Sequence, residues 1–380
     1  MKKKIIFYNF IIFLIFFFIF DIIVSNFFLK ITNTKCYKIE KQFYELKKNC
    51  VGRQQFKSSF PVIKITTNEM GLRSNKIGKR FLKDNNILIF GDSFTFGVGI
   101  EYENTYVGLL EKRLKDYSFY NFGVGSYSPS MHLYRLEEAI KNNLMPKKII
   151  LFLDLTDIYD EGKRWKNKNN SLKPSLSYNQ IETSQVKRKF KHKNLQISVM
   201  LASKINYNLR ILRNRIGKSI NKKNKSEKVK TSFQGSFTYT PIKNLNKVFW
   251  TEEIFYKGID KIKDKIKRIS NIAKNNDSEF FLVIYPWSET LVYGQKSFNW
   301  EKFGKNLCSE FDCNLINTFN EFREEKDNNV NWYSDLYFIG DEHFNDGGNL
   351  FMADILQDKI FKRNWKFYTN HIKETYINMK

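Results

Sequence analysis

The chain has 380 residues, 64 Lys and Arg against 39 Asp and Glu, and a formal net charge of +25. That length carries one large or two ordinary domains, each with a real hydrophobic core. With 42% hydrophobic and 16% aromatic residues wholesale disorder is excluded, and four cysteines are too few for a disulfide-stapled miniprotein.

Lys2, Lys3 and Lys4 precede an apolar run from Ile5 to Leu29, broken only by Asn9, Asp21, Ser25 and Asn26. As a helix this run spans roughly 37 Å, enough to cross a hydrocarbon core of about 30 Å. Residues 1–30 therefore read as a single transmembrane helix of a bacterial inner membrane. The basic triplet stays in the cytoplasm, and the chain beyond the helix faces the periplasm or the outside. A cleaved signal peptide is the rival reading. No small-x-small cleavage site comes after the run, which favours an uncleaved signal anchor.

Export gives the cysteines a role. Cys36 and Cys50 are 14 apart and Cys308 and Cys313 are five apart. Four cysteines allow three pairings; two local bridges are the simplest, each contributing about 2–4 kcal/mol in an oxidising compartment. No metal is expected, because no C-x-x-C pair or histidine cluster accompanies them.

Residues 31–85 read as an irregular juxtamembrane segment. From Asn86 short apolar runs alternate with amphipathic stretches. Ile87–Phe90 is a buried strand, Thr105 caps a helix with Val107, Leu110 and Leu114 at helical spacing, and Phe119–Phe122 is a second strand. A helix around Leu133, Leu136 and Ile140 puts His132 on its surface, and Lys148–Leu155 forms a third strand.

A basic insertion over 161–250 interrupts the rhythm. Between Lys163 and Lys230 stand 20 Lys and Arg and only two acids, Glu182 and Glu227, a local balance of +18. Within it Ile197, Leu201, Ile205, Leu209, Leu212 and Ile216 mark an amphipathic helix. The stretch reads either as a solvated basic surface or as a contact with anionic lipid or an acidic polysaccharide; no nucleic acid is expected, since no reader motif accompanies it.

The alternation resumes with a helix over Thr251–Lys274, a strand over Phe280–Tyr285, a helix over Trp300–Phe311, a short strand over Asn314–Ile316 and a last helix over Gly348–Ile360. Strand–helix alternation with continuously apolar strands predicts a parallel sheet covered on both faces. The core then has two halves, 86–160 and 251–365, with a tail at 366–380.

Gly91-Asp92-Ser93-Phe94-Thr95-Phe96-Gly97 comes directly after the first strand, which puts Ser93 at its carboxyl end, where open α/β sheets build their sites. A serine nucleophile needs a base. The histidines are His132, His192, His343 and His371; only His343, in Gly340-Asp341-Glu342-His343-Phe344-Asn345, has a carboxylate two residues before it that can accept its Nδ1–H.

These residues resemble the SGNH (GDSL-type) hydrolases. Gly91–Thr95 is similar to their first block, and Asp341–Asn345 with Gly347 and Gly348 to their last. Thr67-Asn68-Glu69-Met70-Gly71-Leu72-Arg73 and Tyr285-Pro286-Trp287 resemble segments of exported members. The likeness covers about 68–360, with the basic insertion outside it.

The resemblance implies a three-layer α/β/α flavodoxin-like sandwich and ester chemistry on Ser93, with His343 as base and Asp341 as its partner. It implies oxyanion donors at Ser93, Ser126 and Thr156, with Asp92, Asn121 and Asp157 in support. No cofactor is implied.

Two positions depart from the family pattern. Ser126 stands where a glycine donates its N–H, and the third block reads Asp154-Leu155-Thr156-Asp157 where Asn is usual. A misplaced oxyanion donor costs about 3–4 kcal/mol of transition-state stabilisation. Asp two residues before His resembles the branch that acylates or deacylates exopolysaccharides. The expected activity is a membrane-anchored serine esterase acting on O-acyl groups of envelope carbohydrate or lipid. The alternatives are an exopolysaccharide O-acetyltransferase and a catalytically silent glycan-binding relative.

Overall fold

Asn86–Phe90 is buried along its whole length, with Ile87, Leu88 and Ile89 fully shielded. Such a run has no polar face to show to water, so it takes the centre of a sheet covered on both sides. In the computed structural model Ile87 lies opposite Phe119 on one neighbour and Lys148 on the other, both parallel. Among the described residues the sheet has five strands. Their spatial order is Ser118–Asn121, Asn86–Phe90, Lys148–Leu153, Glu279–Ile284 and Asn314–Asn317. By chain order this is 2-1-3-4-5, the flavodoxin-like arrangement, with its switch point between the first and third strands.

Helices Tyr106–Arg113 and Asp346–Phe361 pack together on one face of the sheet. Pro129–Lys141, Glu252–Asn275 and Trp300–Phe311 pack on the other. The three-layer sandwich is thus present. The expected caps are in place: Thr105 accepts from Gly108 N–H at 3.1 Å and Thr251 from Ile254 N–H at 3.2 Å. Short helices Ser288–Tyr293, Phe319–Asn328 and Trp332–Leu336, not anticipated from periodicity, fill the connections after the last two strands.

The structure describes residues 2–29, 36–39, 44–57, 60–75, 85–167, 174–175, 195–220, 229, 231–232, 234–245 and 250–362. His192, His371, Glu182, Glu227 and the tail 366–380 lie outside them. The N-terminal helix Lys2–Val24 is long and apolar enough to span a membrane, and its aliphatic and aromatic side chains are mostly exposed. Both local bridges, Cys36–Cys50 and Cys308–Cys313, are formed.

Two expectations need correction. The segment after the N-terminal helix is not irregular: Tyr37–Ile39 pairs with Tyr44–Leu46, and Val51–Gln54 with Ile63–Thr66, as two antiparallel hairpins. Tyr44, Phe60, Ile63 and Ile65 are buried with Phe96, Val98, Tyr127 and Trp165 in a second core cluster. The strands are three or four residues long, too short for an alternating pattern to stand out.

His132 is not on a helix surface; it is 1% exposed. It shares the inward face of its helix with Leu133, Leu136 and Ala139, all buried.

Candidate active site

The Gly91–Gly97 turn is shaped by what fits. A Cβ at Gly91 would lie 1.9 Å from Thr95 Oγ1, so only glycine lets the strand run straight into the next turn. Asp92 then caps the one-turn helix Ser93–Phe96, its Oδ1 accepting from Phe94 N–H at 3.0 Å. Ser93 is the first helical residue, so its own N–H has no acceptor within the helix. Its side chain is half-buried and stands at the carboxyl end of the central strand.

The Asn68–Arg73 segment holds this turn from behind. Asn68 Oδ1 accepts from Met70 and Leu72 N–H at 2.9 and 3.0 Å, which folds the segment so that Arg73 turns inward. The buried Arg73 guanidinium donates to Gly97 O at 2.6 Å and to the carbonyls of Phe96 and Ile100.

The histidine loop is built equally tightly. Phe338 N–H donates to His343 O at 3.0 Å, Asp341 N–H to Phe338 O at 2.9 Å, and His343 N–H to Asp341 Oδ1 at 3.1 Å. Asn345 caps the last helix through Gly348 N–H at 3.1 Å and donates its amide to Ser334 O and Tyr337 O. A Cβ at Gly348 would lie 2.0 Å from Leu336 O, so that glycine permits the close seating of the helix.

These two loops bring together residues 250 positions apart: His343 Nε2 lies 2.8 Å from Ser93 Oγ. On the other side of the ring Nδ1 lies 2.5 Å from Asp341 Oδ1. The imidazole stacks on Phe94 at 4.8 Å between centroids and meets Phe56 edge-on at 5.3 Å. His343 and Asp341 are 5% and 3% exposed, so the imidazole and the carboxylate are dry while the Ser93 hydroxyl is reachable.

Burial alone would disfavour the imidazolium, but the Asp341 carboxylate outweighs it and holds the His343 pKa above its ordinary value. Burial raises Asp341, yet His343 and Lys57 together hold it well below the usual carboxylate range. Asp92 behaves oppositely: burial and the nearby Asp154 carboxylate push it to about 8. Its Oδ2 is 3.1 Å from Ser93 Oγ, and a carboxyl mostly protonated at neutral pH does not compete with the imidazole for the serine proton.

The turn after the second strand presents Gly125 toward Ser93; a Cβ there would sit 4.0 Å from Ser93 Cβ. Ser126 takes φ +60°, a conformation that glycine accepts more readily. Tyr44 Oη donates to Gly125 O at 2.7 Å and Trp165 Nε1 to Ser126 O at 3.0 Å. In a trans peptide the N–H of Ser126 points opposite to the Gly125 carbonyl, away from the hairpin that holds it. Asn121 ties this turn to the Ser93–Phe96 helix, donating to Thr95 O at 2.8 Å and accepting from Gly123 N–H at 2.9 Å.

Thr156 is a correction. Its hydroxyl donates to Asp154 Oδ1 at 2.5 Å, so its single proton is held locally and is not offered to an oxyanion. Asp154 also accepts from Thr156 N–H at 2.8 Å, Tyr285 Oη at 2.7 Å and Trp287 Nε1 at 2.9 Å. Asp157 accepts from Asp154 N–H at 2.8 Å, and burial with its carboxylate neighbours raises its pKa strongly. It supports the loop after the third strand rather than the reacting atoms.

Sequence reasoning missed Lys57 and Phe56. The Lys57 ammonium pairs with Asp341 Oδ2 and lies 5.1 Å from the Phe56 ring centre. Both come from the segment read as irregular, and nothing local marks them. Asp154 had a signal, since it comes directly after the strand Lys148–Leu153. Asp341, Glu342 and His343 place ligand-type atoms within 4.8 Å of one another, but both ring nitrogens are already engaged by Asp341 and Ser93.

No protein-family model matches the chain, and no curated protein matches it. Solved structures similar to it include a lipolytic protein of the G-D-S-L family from Veillonella parvula at 12% identity and TM-score 0.40, covering 73% of this chain and 99% of that one. The acetyl xylan esterase AlAXEase is 14% identical at TM-score 0.39, covering 72% and 99%. The psychrotrophic esterase EstA from Pseudoalteromonas sp. is 13% identical at TM-score 0.35, covering 73% and 98%.

Proposed function

We propose that this chain is a membrane-anchored serine esterase acting on O-acyl groups of envelope carbohydrate. The observation that carries the reading is the unbroken relay from Ser93 Oγ to His343 Nε2 at 2.8 Å and from His343 Nδ1 to Asp341 at 2.5 Å. A hydroxyl, an imidazole and a buried carboxylate in line are what an activated serine requires.

His343 Nε2 takes the Ser93 proton as Oγ bonds to the ester carbonyl carbon. The negative charge that develops on the carbonyl oxygen is held by the N–H groups of Ser93 and Ser126. The imidazolium, steadied by Asp341, then protonates the departing alkoxide, leaving an acyl group on Ser93. Water, deprotonated by His343, attacks that ester and releases the acid and the free serine. A sugar hydroxyl in place of water makes the same enzyme a transferase.

Anchoring is supported by the apolar helix Lys2–Val24, with Lys2–Lys4 on the cytoplasmic side and the sandwich outside. The two disulfides suit an oxidising exterior. Carbohydrate is favoured by the Asp-x-His spacing of the last block.

Labelling with a serine-directed fluorophosphonate is expected for the wild type and not for Ser93→Ala. Acetate release from an O-acetylated envelope polysaccharide, absent in that variant, tests the substrate class. Equal labelling of the two proteins would overturn Ser93 as nucleophile.

A further inference from the structure

We propose that the helix Gln196–Ile220 is an interfacial element that lies on the anionic lipid surface of the membrane crossed by the N-terminal helix. This rests on the anchored reading above and adds to it a second membrane contact and a fixed seat for the catalytic loop.

The start of the helix is tied to the end of the apolar one. Asp21 Oδ1 accepts from Ile197 N–H at 2.9 Å and Oδ2 from Ser198 N–H at 2.7 Å. Ser25 Oγ accepts from Gln196 N–H at 2.7 Å and itself donates to Asp21 at 2.7 Å. Three amide donors that a helix N-terminus leaves without acceptors are thus satisfied by the N-terminal helix. The carboxylate also meets the positive end of a long helix dipole. Asp21 and Ser25 are buried in this contact, at 0% and 1% exposure.

Asp21 lies about 24 Å along the helix axis beyond Ile5. In a hydrocarbon layer of about 30 Å that depth is close to the outer boundary. The second helix therefore begins where headgroups begin.

From there it shows two faces. Tyr207 packs on Phe338 at 5.5 Å between ring centres, and Ser203 is buried on the same side. Leu201, Ile205, Leu209 and Leu212, spaced four, four and three apart, form one stripe and are 40–56% exposed. Two residues are about 200° apart on a helix, so Ile205 points nearly opposite to Tyr207. The apolar stripe thus faces away from the sandwich, with exposed Lys204 and Arg213 beside it.

An apolar stripe flanked by cations, in a stretch carrying +18, is the pattern of a helix lying in the plane of an anionic interface. Continuity with the spanning helix selects lipid over other occupants. Phe338 also donates its N–H to His343 O, so the face opposite the stripe rests on the catalytic loop and seats it over the lipid surface.

The test uses full-length protein in vesicles, with an environment-sensitive fluorophore on Ile205→Cys and, separately, on Phe16→Cys in the spanning helix. In vesicles of about one-third phosphatidylglycerol both sites are expected to emit as immersed, and Ile205 to be quenched by a shallow spin-labelled lipid. In pure phosphatidylcholine the quenching at Ile205 is expected to fall at least roughly twofold, and Lys204→Ala with Arg213→Ala to produce the same fall in anionic vesicles.

A water-like signal at Ile205 with Phe16 immersed overturns the interfacial helix and leaves the anchor standing. A water-like signal at both sites overturns the anchor as well. Equal quenching in neutral and anionic lipid overturns the headgroup contact. Shielding that tracks protein concentration instead of lipid assigns the stripe to a second copy of the chain and overturns the proposal.

Discussion

His343 and His132 occupy two interiors of the same molecule and are almost equally shielded, at 5% and 1% exposure. Both lie against aromatic rings: Phe94 and Phe56 for one, Phe90 and Tyr127 for the other. Their chemistry is opposite. His343 has a carboxylate on one nitrogen and a hydroxyl on the other, and its pKa rises. Among the described residues neither nitrogen of His132 has a hydrogen-bond partner, and burial pushes it down to about 3. Burial does not make a histidine a base. What decides is whether the fold brings a charge to its other nitrogen.

Breaking the relay is expected to have the largest effect. His343→Ala should lower kcat on p-nitrophenyl acetate by about 10⁶-fold, as removal of a base acting with its nucleophile does. A loss under about tenfold would mean that another group takes the serine proton. Asp341→Asn keeps the shape but favours the wrong tautomer, and a drop of about 10⁴-fold is expected at neutral pH.

The pH profile sharpens the contrast. As the proposed base His343 has to be neutral, so kcat/KM should fall with acid through a pKa above the ordinary 6.5 for histidine. Lys57→Met removes the cation from Asp341 and strengthens the carboxylate's hold on the imidazolium, so the acid limb should move to higher pH. A merely structural lysine would change thermal stability and leave that limb in place.

Thr156→Val tests the loop after the third strand. Its hydroxyl serves Asp154, so kcat should change by less than about tenfold. A loss of 10²–10³, the usual cost of one oxyanion donor, would restore it to that role.

The smallest catalytic effect belongs to His132→Leu: neutral-pH activity is expected to be unchanged. Stability is where it shows. The folded pKa near 3 lies below the unfolded value of 6.5, so below pH 6.5 the unfolded chain takes up a proton that the folded one refuses. Wild-type stability should fall from pH 6.5 toward 4 by up to a few kcal/mol, and the variant should lack that part of the fall. Parallel melting curves for both proteins would contradict it.

How much was legible depends on the range of the interactions. The strand Ile87–Phe90, the Gly91–Gly97 turn and the Thr105 and Thr251 caps are settled by neighbours within a few residues, and periodicity exposes them. Lys57 and Tyr44 sit on or beside strands too short to carry a period. The inward side of His132 was in principle readable from its spacing to Leu136, but a polar residue masks an apolar face.

By itself the sequence determined the apolar N-terminal span, the strand–helix alternation and the residue types needed for an activated serine. Those depend on local sterics and on hydrophobic spacing, which act over a turn or a strand. Tertiary structure alone decided that residues 93 and 343 touch, that a lysine beside a hairpin reaches Asp341, and that Thr156 serves a neighbour. It also set which side of the Gln196–Ile220 helix was left bare. Those outcomes depend on which apolar faces bury against one another across the sheet, and that competition involves the whole chain at once.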